Sequence, residues 1–141
     1  MASVSNDLLW ALTRQNNRFL EKRRQAGGVQ FSRDPLSAGG VHSYKQSGLA
    51  NDKAVGVTVN ANGQIQLLTK SAKNANKPAK AVSVTTFKKH VSGRRVAAAV
   101  SKAATNYRDD VRNAAVLKAS ALARTANKPK KVFAAKTNGR R

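Results

Sequence analysis

Residues 104–131, ATNYRDDVRNAAVLKASALARTANKPKK, carry the clearest helical pattern of the chain and run into a basic segment. Apolar residues recur there on one face of a 3.6-residue period, namely Tyr107, Val111, Ala114, Ala121 and Leu122. The acids Asp109 and Asp110 fall in the predicted first turn, where the helix dipole favours negative charge. Asn127-Lys128-Pro129 is predicted to end the helix. Alanine dominates the pattern, so this helix must dock on something else to be stable.

Basic residues flank this helix and dominate the whole chain. Arg108 and Arg112, four residues apart, are predicted to point together from another side of the helix. The 141 residues contain 27 Lys and Arg against 6 Asp and Glu, a net charge of +21. Residues 70–141 alone hold 19 basic and 2 acidic residues. Such density is typical of proteins that neutralise phosphates and release counterions.

The apolar content is too low for a large core. Hydrophobic residues make up 40% of the chain, but 24 of them are alanines, and Leu, Ile, Val and Phe total 29. That share is near the roughly 20% below which highly charged chains are expected to be disordered. We therefore expect one small domain over 1–126, with extended loops at about 26–41 and 70–80, and a basic tail over 127–141.

Short elements are predicted along the N-terminal half. Ser5-Asn6-Asp7 is a helix start, and the helix should end between Arg14 and Asn17. Residues 19–22 and 42–46 are predicted as brief strands, the second around Tyr44.

The strongest β pattern is a hairpin pairing 54–60 with 64–70. Valines alternate in the first strand, and Asn62-Gly63 supplies the positive φ of a tight turn. Residues 82–87 predict a further strand, and Ser92 is a candidate cap for a helix over 93–104 that turns Val96 and Val100 inward. The sequence thus predicts an α+β fold: a small antiparallel sheet, a short N-terminal helix and C-terminal helices.

Catalytic and membrane functions find little support. The chain has no cysteine, and His42 and His90 lie far apart without a third ligand at a metal-like spacing. The acids are scattered, and neither a phosphate-binding loop nor a nucleophile elbow is present. No 18-residue apolar run occurs. The first residues lack the basic and then apolar pattern of a secretory leader, so we do not expect secretion. We expect no catalytic residue, no metal or other cofactor, no small-molecule substrate and no membrane contact.

Basic clusters follow the first helix and the last strand and fill the tail. Arginine can grip a phosphate with two parallel hydrogen bonds or stack on a base, whereas lysine is a point charge. Trp10 and Tyr44 could stack on bases or belong to the core. The candidate RNA-binding residues are Trp10, Arg14, Arg18, Lys22, Arg23, Arg24, Lys45, Lys88, Lys89, Arg94, Arg95, Arg108, Arg112, Arg124, Lys128, Lys130, Lys131 and Arg140.

An ordered set of short motifs, rather than any single one, resembles a known family. The set comprises Leu9-Trp10, Arg14, Phe19-Leu20, Lys22-Arg23, Phe31-Ser32, Asp34-Pro35, Ser43-Tyr44-Lys45, Ser47-Gly48-Leu49, Lys53, Val55-Gly56-Val57, Tyr107-Arg108, Asp110, Arg112, Ala114-Ala115, Ala119-Ser120-Ala121 and Arg124. Over about residues 7–126 the chain is similar to the eukaryotic large-subunit ribosomal protein twenty-eight family, which is unrelated to the bacterial protein of that number. Asp109 departs from the family pattern, because relatives tend to have proline there.

The resemblance implies a non-catalytic constituent of the cytosolic large (60S) ribosomal subunit. Its implied partners are large-subunit ribosomal RNA and neighbouring ribosomal proteins, and it would pass through the nucleolus during assembly without forming a homo-oligomer. The residues that match family positions, implied to face RNA or define the fold, are Trp10, Arg14, Lys22, Arg23, Lys45, Arg108, Arg112 and Arg124.

Three alternatives remain open at this point. An assembly factor of the Mak-sixteen type shares the domain, but usually adds cysteines and a long acidic extension. A chromatin-type DNA-binding protein would suit the Lys/Ala/Pro tail but not the hairpin or the many arginines. An RNA-processing enzyme lacks the expected acid–base or metal set.

Overall fold

The computed structural model describes residues 4–25 and 27–126, where short helices and strands are joined by long connections. The helices are α1 (Asn6–Thr13), α2 (Pro78–Ala81), α3 (Gly93–Thr105) and α4 (Arg112–Ala126). The strands are β1 (Leu20–Lys22), β2 (Gln30–Ser32), β3 (Val55–Val59), β4 (Ile65–Lys70) and β5 (Val82–Thr86). The described strands form two antiparallel sheets, β1–β2 and β3–β4–β5. The predicted α+β class is confirmed, with two small sheets where one was expected.

The β3–β4 hairpin forms as predicted. Val57 pairs with Leu67, and Val59 pairs with Ile65. The turn places Gly63 at φ 76°, which a residue without a Cβ adopts freely. The Asn60 side chain closes the loop by accepting a hydrogen bond of 2.8 Å from the backbone N–H of Gln64. The predicted further strand is observed as β5, hydrogen-bonded to β4.

The hydrophobic core lies between this hairpin and the α3–α4 pair. Its buried members are Ala38, Val55, Val57, Ile65, Leu67, Val96, Val100, Val111, Ala115, Ala119 and Ala123. Val96 and Val100 of α3 turn inward, as predicted. Because α4 contributes mostly methyl-sized side chains, the helices and sheet approach closely and the core stays small.

The predicted phase of α4, meaning which of its residues face the core, is wrong in part. Val111 is buried, but the buried line continues through Ala115, Ala119 and Ala123, whereas Ala121 is exposed. Alanines occur on every side of this helix, so the sequence pattern was equally compatible with several choices of the core-facing side. The neighbouring α3 and β3, which a local pattern does not describe, select the observed one.

The start of α4 also differs from the prediction. Asp109 and Asp110 lie in the first turn as expected, but that turn is a 3-10 helix over Asp109–Val111. Arg108 precedes it with an extended φ of −151°, so Arg108 and Arg112 do not share a helical face.

The N-terminal half contains both confirmed and corrected elements. α1 begins after Ser5, whose Oγ accepts a hydrogen bond of 3.3 Å from the Leu8 N–H, and ends at Thr13. The predicted strand at 19–22 is observed as β1. The predicted strand at 42–46 is wrong, because Tyr44–Gln46 is a 3-10 turn closed by backbone bonds from Gln46 and Ser47. Tyr44 has no alternating apolar neighbours that would support a strand.

Both predicted loops contain unexpected structure. Strand β2 lies within 26–41 and pairs with β1. Residues 70–80 contain a 3-10 turn at Ala72–Asn74 and the start of the single-turn helix α2, although most of this segment is exposed. The predicted helix end at 127–129 and the tail over 127–141 lie outside the described residues. So do the candidates Lys128, Lys130, Lys131 and Arg140.

Candidate nucleic-acid interface

The described residues leave most of their positive charge without a carboxylate partner. Residues 4–25 and 27–126 hold 21 Lys and Arg and all 6 acids. Three ion pairs occur among them: Arg33–Glu21 at 2.8 Å, Arg108–Asp110 at 2.5 Å and Arg112–Asp109 at 3.1 Å. Asp34 is buried and accepts backbone hydrogen bonds instead. The surface is therefore an unneutralised cationic field that favours a polyanionic partner.

The structure exposes most of the predicted basic candidates. Those with exposed side chains are Arg14, Arg18, Lys22, Arg23, Arg24, Lys45, Lys88, Lys89, Arg94, Arg95 and Arg124. Trp10, Arg108 and Arg112 are half-buried. Two pairs of candidates distant in sequence come together, Arg14 with Lys22 and Arg94 with Arg124, each pair lining one cleft.

The first of these clefts lies between the end of α1 and the β1–β2 sheet. Its lining residues are Trp10, Arg14, Gln15, Lys22, Gln30 and His42. Two hydrogen bonds hold its walls together. Lys22 Nζ donates to the Gln15 carbonyl at 2.7 Å, and His42 Nε2 lies 2.7 Å from the Arg14 carbonyl oxygen. Aromatic rings, cations and side-chain amides thus meet in one small space.

An aromatic cluster, formed by Trp10, His42 and Tyr44, borders this cleft. The Trp10 ring centroid lies 5.0 Å from that of His42 and 5.8 Å from that of Tyr44, with tilted planes. The nearby Asp7 carboxylate, as a hydrogen-bond acceptor, raises the pKa of the Tyr44 hydroxyl. This shift disfavours the phenolate form of Tyr44, a side chain that is uncharged at neutral pH even with its ordinary pKa of about 10.

The second cleft is a groove between the start of α3 and the end of α4. It is lined by Gly93, Arg94, Ala97, Ser120, Ala123 and Arg124. Arg94 and Arg95 occupy the first turn of α3, where the helix dipole disfavours positive charge. The Ser92 side chain makes no capping hydrogen bond there. An anion in the groove would offset both the dipole and the paired guanidinium groups.

Arg108 has a different environment from the other candidates. Its guanidinium donates to the carbonyls of Lys53 at 3.0 Å and Lys45 at 2.8 Å, and also binds Asp110. Its side chain is only 14% exposed. These contacts attach the segment before α4 to two loops that are distant in sequence. Arg108 therefore acts as an internal brace of the fold.

Sequence reasoning missed a third basic cleft. Its cations are Lys53, Lys70 and Lys73, and it is bordered by hydroxyls from both β4 and β5. Lys53 Nζ lies 5.7 Å from the centroid of the Tyr107 ring, and the Tyr107 hydroxyl donates to the Lys70 carbonyl. The predicted hairpin register, which places Lys70 beside residue 54, was the one feature that could have indicated this grouping.

Lys118 is a further basic residue, which was not among the candidates predicted from sequence because it falls near the middle of the apolar face of the predicted helix. It reaches from α4 to the carbonyl of Ser37, 2.8 Å away, and is half-buried. Burial lowers the pKa of its ammonium group, and the nearby Asp34 carboxylate partly opposes that change. Lys118 therefore bonds within the protein and is turned away from the exposed cationic surface.

The described part of the chain contains neither a cluster of metal ligands nor a membrane-spanning helix. Within 4–25 and 27–126 no three His, Asp or Glu side chains converge in a way that could hold a metal ion. None of the helices in those residues combines the length and apolar character needed to cross a bilayer.

Comparison with known proteins gives consistent matches over most of the chain. Residues 8–125 match the Ribosomal L28e protein family. The large ribosomal subunit protein eL28 of Schizosaccharomyces pombe is 44% identical over 139 residues, covering 94% of this chain and 99% of the relative. The protein of the same name in Trypanosoma cruzi is 36% identical over 94% of this chain and 85% of its own length. That of Dictyostelium discoideum is 34% identical over 80% of this chain and 82% of the relative.

Proposed function

The chain belongs to the Ribosomal L28e protein family, and from this premise we propose that it is a structural constituent of the cytosolic large ribosomal subunit. Its relatives are named as large ribosomal subunit proteins. In this role the protein binds folded ribosomal RNA through contacts between Arg and Lys side chains and phosphates. It performs no catalysis.

The observation that carries the proposal is the uncompensated positive charge of the described residues. Of the 21 Lys and Arg in the described residues, 3 form ion pairs. Each phosphate that the remaining cations neutralise releases counterions, which drives binding without reading sequence. Because A-form RNA has a deep, narrow major groove, such a surface recognises RNA chiefly by shape.

The separate clefts suggest how the protein stabilises RNA. Arg14 with Lys22, and Arg94 with Arg124, lie on different elements of one small fold. Phosphates bound at these two places would be brought together by one small fold. The proposed role is thus to pin neighbouring RNA segments, and the basic residues of 127–141 would add further positive charge to this contact.

The remaining partners and the location follow from the same role. Neighbouring large-subunit proteins would contact the protein in the particle, where it would be present as one copy and not as a homo-oligomer. The protein would enter particles in the nucleolus and function on cytosolic ribosomes.

Sedimentation of the full-length tagged protein from eukaryotic cells tests this proposal. We expect it to sediment with large subunits and intact ribosomes, and to follow the large subunit after magnesium is removed. Sedimentation with chromatin, or as free protein in the lysate, would contradict the proposal. Presence in nucleolar precursors only, and absence from translating ribosomes, would instead identify an assembly factor.

A further inference from the structure

The aromatic cluster of Trp10, His42 and Tyr44 is more than phosphate binding requires. The chain has one Trp and two Tyr, and here the Trp10 ring lies beside both His42 and Tyr44. Phosphate contacts need only cations and N–H donors. Three rings beside exposed cations match the chemistry of unpaired bases, which stack on aromatic side chains and hydrogen-bond through their edges.

This cluster does not belong to the hydrophobic core. No residue of α1 is buried, Trp10 is half-buried, and Tyr44 is 37% exposed. The packed core lies elsewhere, between the β3–β4 hairpin and the C-terminal helices. Ring surface therefore remains accessible to a ligand even though the same contacts attach α1 to the rest of the protein.

The cleft beside the rings supplies the polar groups that a nucleotide needs. Its volume, about 370 Å³, falls in the range of roughly 300–1,000 Å³ typical of small-ligand sites. Arg14 and Lys22 offer positive charge for a phosphate, and the amides of Gln15 and Gln30 offer donors and acceptors for a base edge. The Lys22–Gln15 and His42–Arg14 contacts hold these walls together before any ligand arrives.

We propose that this cleft binds an unpaired ribonucleotide, with its base against Trp10 and its phosphate on Arg14 and Lys22. This inference rests on the proposed function and adds to it a specific ligand class. Elsewhere on the protein, RNA would be recognised by backbone shape. At this cleft the protein would select a looped-out or single-stranded nucleotide over a paired one.

Trp10 is the only tryptophan in the sequence, so its fluorescence reports on this cleft alone. The full-length protein is titrated with three probes: a single-stranded adenosine hexanucleotide, a blunt A-form RNA hairpin and inorganic polyphosphate. We expect all three to bind at low salt, but only the hexanucleotide to quench Trp10 emission strongly. Equal quenching by all three, or binding of the hexanucleotide with no change in emission, would overturn the inference.

Variants at Trp10 give a second readout, the anisotropy of labelled RNA. Stacking contributes about a 5- to 150-fold difference in affinity per base. Trp10→Leu should therefore weaken hexanucleotide binding within that range, Trp10→Phe should weaken it less, and hairpin binding should stay unchanged. Leu12→Ala, an exposed change on the same helix, is the control for α1 integrity.

The outcomes separate the two proposals. An equal loss of hexanucleotide and hairpin binding in Trp10→Leu would assign Trp10 a purely structural role. It would overturn this inference and leave the proposed function standing. Arg95→Gln, which removes an exposed charge outside the cleft, should weaken the binding of the hexanucleotide and of the hairpin equally. Failure of the wild-type protein to bind any RNA at low salt would overturn the proposed function together with the inference.

Discussion

The buried carboxylate of Asp34 accepts a hydrogen bond of 2.8 Å from the backbone N–H of Gly48, fourteen residues further along the chain. Its other oxygen accepts the Leu36 N–H at 2.9 Å. A Cβ at position 48 would lie 2.7 Å from the Asp34 carboxylate, so only glycine permits this approach. The pair fixes the connection that carries His42 and Tyr44 towards Trp10.

Removing the Asp34 carboxylate should destabilise the fold. Asp34→Ala leaves two backbone N–H groups without their acceptor, at a cost of about 2–4 kcal/mol in the free energy of unfolding. Urea denaturation followed by circular dichroism measures the change. Asp52→Ala removes an exposed carboxylate and should change stability by no more than about 0.5 kcal/mol. Equal effects of the two substitutions would contradict the assigned role of Asp34.

Arg108 should matter for stability more than for RNA affinity. Arg108→Lys keeps the charge but loses the planar fork that reaches the Lys45 and Lys53 carbonyls together with Asp110. We expect a loss of roughly 2 kcal/mol in the free energy of unfolding. The matched control Arg95→Lys, at an exposed position, should leave stability unchanged. An unchanged melting temperature for Arg108→Lys would contradict the role of Arg108 as an internal brace of the fold.

The same contact predicts an acid-dependent loss of stability. Hydrogen bonding to the Arg108 guanidinium lowers the pKa of Asp110 below its ordinary value. Its contribution is therefore fully present above the unfolded-state pKa of about 3.9 and is lost as pH falls through the lower folded-state pKa. Melting temperatures measured from about pH 5 to pH 2 should fall less steeply in Asp110→Asn than in the wild type. If melting temperature depended on pH identically in both proteins, the Asp110–Arg108 contact would not contribute to stability.

Local patterns were enough to predict the hairpin and the start of α1. Alternating valines, Asn62-Gly63 and the Ser5 cap act within a few residues, so the relevant physical interactions are visible in sequence. The face of α4 was not predictable in the same way. Its alanines carry almost no amphipathic pattern, and Lys118 bonds to Ser37, 81 residues away.

In the candidate interface, too, some features were predictable from sequence and others were set by tertiary packing. Charge alone identified the exposed cations, because few acids exist to pair with them. Which cations share a cleft depends on how α1 packs on β1–β2 and α3 on α4, and these contacts are distant in sequence. His42 could not be singled out, because a lone histidine has no local pattern, and its place beside Trp10 follows from tertiary packing.

The groove between α3 and α4 should contribute measurably to the salt dependence of RNA binding. Each phosphate contact contributes about 0.7–0.9 to the slope of log affinity against log salt. Arg94→Gln and Arg124→Gln should each reduce the slope by about that amount for an A-form RNA hairpin. Arg33→Gln is the matched control, because Arg33 already pairs with Glu21. An equal reduction in the control would indicate a general effect of net charge and no specific contribution from the groove.

The corrected phase of α4 can be tested with two identical substitutions placed two residues apart. Ala119 is fully buried against α3 and the sheet, whereas Ala121 is exposed. Ala119→Leu adds volume to a closely packed interface and should cost about 1–3 kcal/mol in the free energy of unfolding. Ala121→Leu has the same effect on helix propensity but enters solvent, so its cost should stay within about 0.5 kcal/mol. Because the sequence pattern predicted Ala121 as an inward residue, a larger loss for Ala121→Leu would restore that phase, and a larger loss for Ala119→Leu would establish the observed one.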